Sequence, residues 1–197
     1  MTTLAGEQDQ LDVQSFASQQ EWAAWLDANH ASARGLWLKL AKKATGIPSV
    51  TYDEAVESAL CYGWIDSLKK SLDDGWWVQK FTPRGRKSIW SQKNCQKAEA
   101  LIESGAMAPA GLREVEAARA DGRWERAYAA QSASTVPADL QAALDANPEA
   151  AAFFVTLDSR NRYAILFRTE TAKKSETRAR RIEQFVEMLA RHEKLYP

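Results

Sequence analysis

Ile65-Asp66-Ser67-Leu68-Lys69-Lys70-Ser71-Leu72-Asp73-Asp74-Gly75-Trp76-Trp77-Val78-Gln79-Lys80-Phe81 is the stretch on which the fold turns. Two β-prone runs flank Asp73-Asp74-Gly75. Aspartates bond readily to nearby backbone and glycine tolerates positive φ, so this step predicts a hairpin turn. Pro83 ends the second run, because proline has no N–H to give a ladder. Upstream, Gly35-Leu36-Trp37-Leu38-Lys39-Leu40 reads as a further buried strand. The three runs predict a small antiparallel sheet of about three or more strands.

Working outward, Ser18-x-x-Glu21 and Thr51-x-x-Glu54 are capping-box patterns, each followed by apolar residues at helical spacing. They predict a helix from Gln19 to Asn29 and another running up to Gly63. Beyond Ser88 the apolar period is helical almost throughout. It passes through Ala98-Leu101-Ile102, Leu112-Val115-Ala118, Leu140-Ala143-Leu144, Phe153-Phe154-Leu157, Tyr163-Leu166-Phe167 and Ile182-Phe185-Val186-Leu189. Gly105, Gly122, Pro137 and Pro148 punctuate that run. The expected class is α+β: a small sheet with N-terminal helices, then a mostly helical C-terminal half. Residues 1–15 read as a flexible N-terminus and 16–197 as a single domain, divisible into an α+β part (16–104) and a helical part (105–197).

With 197 residues, 45% hydrophobic and 26% charged, the chain can build its own core without disulfides or a metal. Cys61 and Cys95 match no metal or redox spacing, and neither histidine, His30 or His192, has a partner at ligand spacing. The N-terminus has no basic and apolar leader, and no apolar run reaches the ~20 residues that span a bilayer. A cytoplasmic protein with no membrane span and no cofactor is therefore expected. Phosphate-loop and dinucleotide glycine patterns do not occur.

A net charge of zero hides an uneven distribution. Gly75 to Ala98 carries Lys80, Arg84, Arg86, Lys87, Lys93 and Lys97 and no acid. These lie beside Trp76, Trp77, Phe81 and Trp90. Arginine offers a planar fork to phosphate or carboxylate, and indole faces attract cations and stacked rings. Ser88, Ser91 and Asn94 add neutral donors, and Ser88 is placed to cap a following helix whose free N–H groups would face an anion. Tryptophan beside a sheet is more often core, and Trp64 and Ile65 read that way. Asp66, two residues after Trp64, is the one acid beside the aromatic core segment. On the last helix, Arg178 and Arg181 precede Ile182 and Phe185 by one turn, so they flank the apolar stripe. There they either brace an acid such as Asp66 or enter the same pocket as Arg84. The expected ligand-binding set is Trp64, Asp66, Arg84, Ser88, Trp90, Ser91, Asn94, Arg178 and Arg181, with no catalytic residue and no metal ligand.

Four ordered motifs carry a resemblance. They are Gly63-Trp64-Ile65-Asp66; Phe81-Thr82-Pro83-Arg84 with Ser88-x-Trp90-Ser91 and Asn94; Gly122-Arg123-Trp124 with Ala127-Tyr128; and Ala172-Lys173 with Glu176-Thr177-Arg178 and Arg180-Arg181-Ile182. In that order the chain resembles the YdeI/OmpD-associated family, labelled bacteriocin-protection proteins. The resemblance implies a link to bacteriocin or antimicrobial-peptide resistance and supplies no catalytic residues. The expected function is non-catalytic binding of a small anionic or peptide ligand at the Trp/Arg-rich segment. An enzyme acting on a small phosphate- or carboxylate-bearing substrate through Asp66, Arg84 and Ser88 is the alternative. Nucleic-acid binding ranks third, because the isoelectric point near 6.8 is low for a dedicated binder.

Overall fold

The computed structural model describes residues 11–197, which form one four-stranded sheet and eight α-helices. They divide into two compact units. The first holds the chain up to Trp90 together with Asn94–Arg126. The second holds Ser91–Lys93 and Ala127–Pro197.

In the first unit, β1 (Val13–Ser15), α1 (Gln19–Asn29), β2 (Leu36–Ala41), α2 (Tyr52–Cys61), β3 (Trp64–Ser71) and β4 (Trp76–Pro83) build the sheet and its cover. Strand order is β1-β2-β4-β3. The predicted hairpin is β3–β4. Asp73 makes its turn, the carboxylate accepting from Gly75 N and Trp76 N, each at 2.8 Å. β2 pairs antiparallel with β4, Leu36 opposite Phe81 and Leu40 opposite Trp77.

The sheet is mixed, not wholly antiparallel. β1 joins β2 in parallel, Val13 opposite Trp37, with α1 as the crossover that a parallel pair requires. Val13–Ser15 thus lie in a strand, where the sequence suggested a loose segment. Three residues with one apolar side chain carry too little period to be read. The rest of that segment, residues 1–10, lies outside the described residues.

Of the two capping boxes expected, the one at α2 forms in full: Glu54 N donates to Thr51 Oγ1 and Thr51 N to Glu54 Oε2. At α1 only half forms: Glu21 N donates to Ser18 Oγ, but the Glu21 carboxylate accepts from Ala17 N, one residue before the cap. The core beneath the sheet packs Trp22, Leu26, Leu36, Leu38, Leu40, Trp64 and Phe81. Trp22 Nε1 donates to Ala55 O at 3.1 Å and Trp64 Nε1 to His30 O at 3.2 Å, so the polar edges of both buried indoles are satisfied.

α3 (Gln92–Glu103) and α4 (Pro109–Ala120) follow the hairpin. α4 crosses the end of α2 at very close range. A Cβ at Gly111 would collide with the carbonyl oxygens of Leu60 and Cys61, and one at Gly63 would come within 3.0 Å of Ala110 O. Gly63, at φ 72°, also makes the left-handed turn that ends α2 and starts β3.

The second unit contains α5 (Ala138–Asp145), α6 (Pro148–Thr156), α7 (Ser159–Glu170) and α8 (Ser175–Ala190). Their predicted apolar stripes converge on Leu140, Leu144, Phe154, Leu166, Ile182, Phe185 and Leu189, and Ile165 joins them. Asn147 and Asp158 cap α6 and α7. Among the described residues, no helix is long and apolar enough to cross a membrane.

Candidate functional site

The residues expected to bind a ligand are distributed over both units. In the first, Arg84 and Trp90 come together, but inside the protein. Arg84 is 7% exposed and Trp90 1%. The guanidinium carbon lies 3.6 Å from the Trp90 ring centroid, and Nη1 donates to Ile89 O at 3.3 Å. Trp90 in turn packs on Trp124 at 4.9 Å, and Arg119 lies over the Trp124 ring at 4.9 Å. Arginine and indole planes therefore alternate through this part of the unit.

The intervening loop is held from both sides. Ser88 Oγ accepts from Gly85 N at 3.0 Å, and Ser88 N donates back to Gly85 O. α3 begins only at Gln92, so Ser88 closes a tight turn and is not the helix cap that its sequence position suggested. Arg123, 6% exposed, reaches the same turn: Nη1 donates to Ser88 O at 3.0 Å while Nε binds the Asp121 carboxylate. In the sequence Arg123 is only the middle of the Gly122-Arg123-Trp124 motif, with no role visible there. No spacing rule connects it to a loop 35 residues away.

Trp64 is core, 1% exposed. Asp66 accepts from Tyr52 Oη at 2.8 Å and from Gln79 Nε2 at 3.5 Å. Ser91 bridges Tyr128, and Asn94 lies half-buried in the first turn of α3. The two cysteines are poor nucleophiles, since burial pushes both thiols up to about 11. Among the described residues, no group of three or more His, Cys, Asp or Glu side chains is placed to hold a metal ion.

In the second unit, Arg178 does brace an acid, and the acid is Asp139. Nε and Nη2 fork onto its two carboxylate oxygens, the latter at 2.8 Å, and Nη1 donates to Thr169 O at 2.9 Å. The fork holds the Asp139 carboxyl below the ordinary range, chiefly by hydrogen bonding. Arg181 donates to Arg168 O at 2.5 Å.

The Arg178–Asp139 pair stands on the wall of a groove of about 1040 Å³ between α5 and α8. Ala143, Ala146, Ala179, Ile182 and Val186 form an apolar floor, and the alanines leave the hollow. Glu176, Glu183 and Glu187 line it with exposed carboxylates. Their spacings of seven and four residues put them on one face of α8. Four carboxylates, counting Asp139, line the groove against two guanidinium groups, Arg178 and Arg180, a net of two negative charges. Arg178 is already committed to Asp139, so the rim left for a ligand is acidic. In the sequence Glu183 and Glu187 carried no assigned role. Their spacing beside the Ile182–Val186 stripe was the available signal.

The chain belongs to the family described as Domain of unknown function (DUF8412), whose model matches residues 14–114. Residues 133–192, which enclose the whole groove, match the model described as Bacteriocin-protection, YdeI or OmpD-Associated. The resemblance seen in the sequence is thus to a family that the C-terminal region matches. No curated protein and no solved structure matches.

Proposed function

We propose, with the match of residues 133–192 as the premise, that the chain is a non-catalytic binding protein whose α5–α8 groove takes the apolar face of a cationic amphipathic helix. The observation that carries this reading is the pairing of an apolar floor with an acidic rim in one groove. Helix-in-groove recognition needs both: anchors at i, i+3/4 and i+7 fill the floor, and rim charges fix orientation and speed association. From Ser175 to Glu187 the groove follows roughly 18 Å of α8 at 1.5 Å per residue, about three turns of a docked helix. A bacteriocin-like peptide with lysines along one side has that chemistry, and the matched description names bacteriocin protection. In this reading Arg178 and Asp139 stiffen the groove wall, while Arg84, Trp90 and Arg123 fix the loop of the first unit.

Calorimetric titration with an 18-residue amphipathic peptide of leucine and lysine tests it. Saturable binding is expected. A peptide of the same composition in scrambled order should bind far more weakly. Glu183→Lys combined with Glu187→Lys should weaken binding by about tenfold or more, since each reversal replaces attraction with repulsion at an exposed site. Equal binding of ordered and scrambled peptides, or an unchanged affinity in the double variant, would overturn the proposal.

A further inference from the structure

We infer that the first unit carries a separate binding site of opposite charge, for a small planar aromatic anion, in the cavity between β2, β4 and the start of α2. The cavity measures about 420 Å³, within the range of small-molecule sites. Its floor is Leu40 and Val50, both buried, and its aromatic wall is Tyr52 and Trp77, with ring centroids 5.9 Å apart. Lys42 and Lys43 supply the charge. Among the described residues, no carboxylate lines this cavity.

Three features make this a prepared site. First, Lys42 Nζ donates to Asp73 O at 2.8 Å, which fixes the ammonium without neutralising it, because the acceptor is a carbonyl. The Asp73 carboxylate is turned into the hairpin turn, satisfied by Gly75 and Trp76 N–H. Second, Tyr52 is held from behind by Asp66, which accepts its phenolic proton and is itself braced by buried Gln79. Asp66 is therefore a positioning residue for the aromatic wall. Third, the α2 N-terminus is closed by its own Thr51–Glu54 box, so the attraction for an anion comes from the lysines. Aromatic faces select a flat apolar body, and the lysines select a negative group at its edge.

The test is calorimetry on the full chain with 2-naphthoate as probe, 2-naphthamide as its neutral counterpart and cyclohexanecarboxylate as a non-planar anion. Naphthoate is expected to bind saturably, with the other two at least about tenfold weaker. Lys42→Gln with Lys43→Gln should weaken naphthoate by about tenfold and leave peptide binding in the α5–α8 groove unchanged. Tyr52→Leu should weaken it further, and Tyr52 is exposed enough for the variant to fold. The Trp77 indole N–H resonance, assigned with Trp77→Phe, should move on titration. Absence of saturable naphthoate binding, equal binding of naphthamide, no effect of the lysine variants, or a stationary Trp77 signal would each overturn the inference.

Discussion

Replacing Arg84 with lysine removes the planar fork and keeps the charge, so it isolates what the guanidinium contributes. The stack on Trp90, at 3.6 Å with both side chains nearly excluded from solvent, is of the desolvated kind worth about 2 kcal/mol. The Nη1 bond to Ile89 O is charge-assisted but long at 3.3 Å, and adds about 1 kcal/mol. A lysine ammonium cannot make both contacts at once, and it is harder to desolvate than a guanidinium. Arg84→Lys should therefore lower stability by about 2–3 kcal/mol, or about 4–12 °C in Tm for a chain of this size. Urea unfolding followed by circular dichroism measures the first quantity. Combined with Trp90→Leu in a double-mutant cycle, the two residues should couple by at least about 1 kcal/mol. A loss below about 0.5 kcal/mol for Arg84→Lys, the level of an ordinary surface substitution, would refute a packing role for the guanidinium.

Further outcomes follow from local geometry. Gly111→Ala should destabilise by about 1–2 kcal/mol: the helix-propensity gain of about 1 kcal/mol is outweighed by the clash with Leu60 and Cys61 carbonyls, which are backbone and cannot swing aside. A variant as stable as the parent in urea would show that α2 and α4 can separate at no cost. Asp139→Asn should lower stability near neutral pH by about 1 kcal/mol, a figure discounted for exposure. Because the folded carboxyl is held below its ordinary value, its contribution is present above about 3.9 and is lost as pH falls through the depressed folded value. The gap between parent and variant should accordingly narrow on acidification, and a gap that widened would contradict the sign. Cys61 and Cys95, with thiols pushed up to about 11, should alkylate with iodoacetamide far more slowly at pH 8 than free cysteine does. Rapid labelling of half-buried Cys61 or buried Cys95 in the folded chain would contradict the raised thiols.

Local signals carried most of the fold. The Asp-Asp-Gly turn, both capping boxes and the C-terminal apolar stripes each predict an element within a few residues, because the forces that make them act over one turn of chain. β1 lay below that threshold, and its pairing depends on β2 and a crossover helix. The Trp/Arg segment was legible as unusual, yet composition could not say which way the side chains face. Arg84 and Trp90 could equally have opened to solvent, and their stacking depends on Trp124 and Arg123, more than 30 residues on. Bracing an acid was one of two alternatives legible for Arg178, but the acid named was Asp66, and Asp139 is contributed by another helix. The groove acids escaped notice for the opposite reason. Glutamates on a helix are ordinarily solvated, and only the alanine-lined hollow beside Glu183 and Glu187 gives them something to flank.

The central claim, a peptide-binding groove in the C-terminal region, is tested most directly by mapping where a bound peptide protects the backbone. Hydrogen exchange of the full chain with and without saturating leucine–lysine peptide gives that map. Slowed exchange should concentrate in α5 and α8, Ala138–Asp145 and Ser175–Ala190, and disappear in Glu183→Lys with Glu187→Lys. Protection confined to other segments, or unchanged exchange across α5 and α8 at saturation, would contradict it.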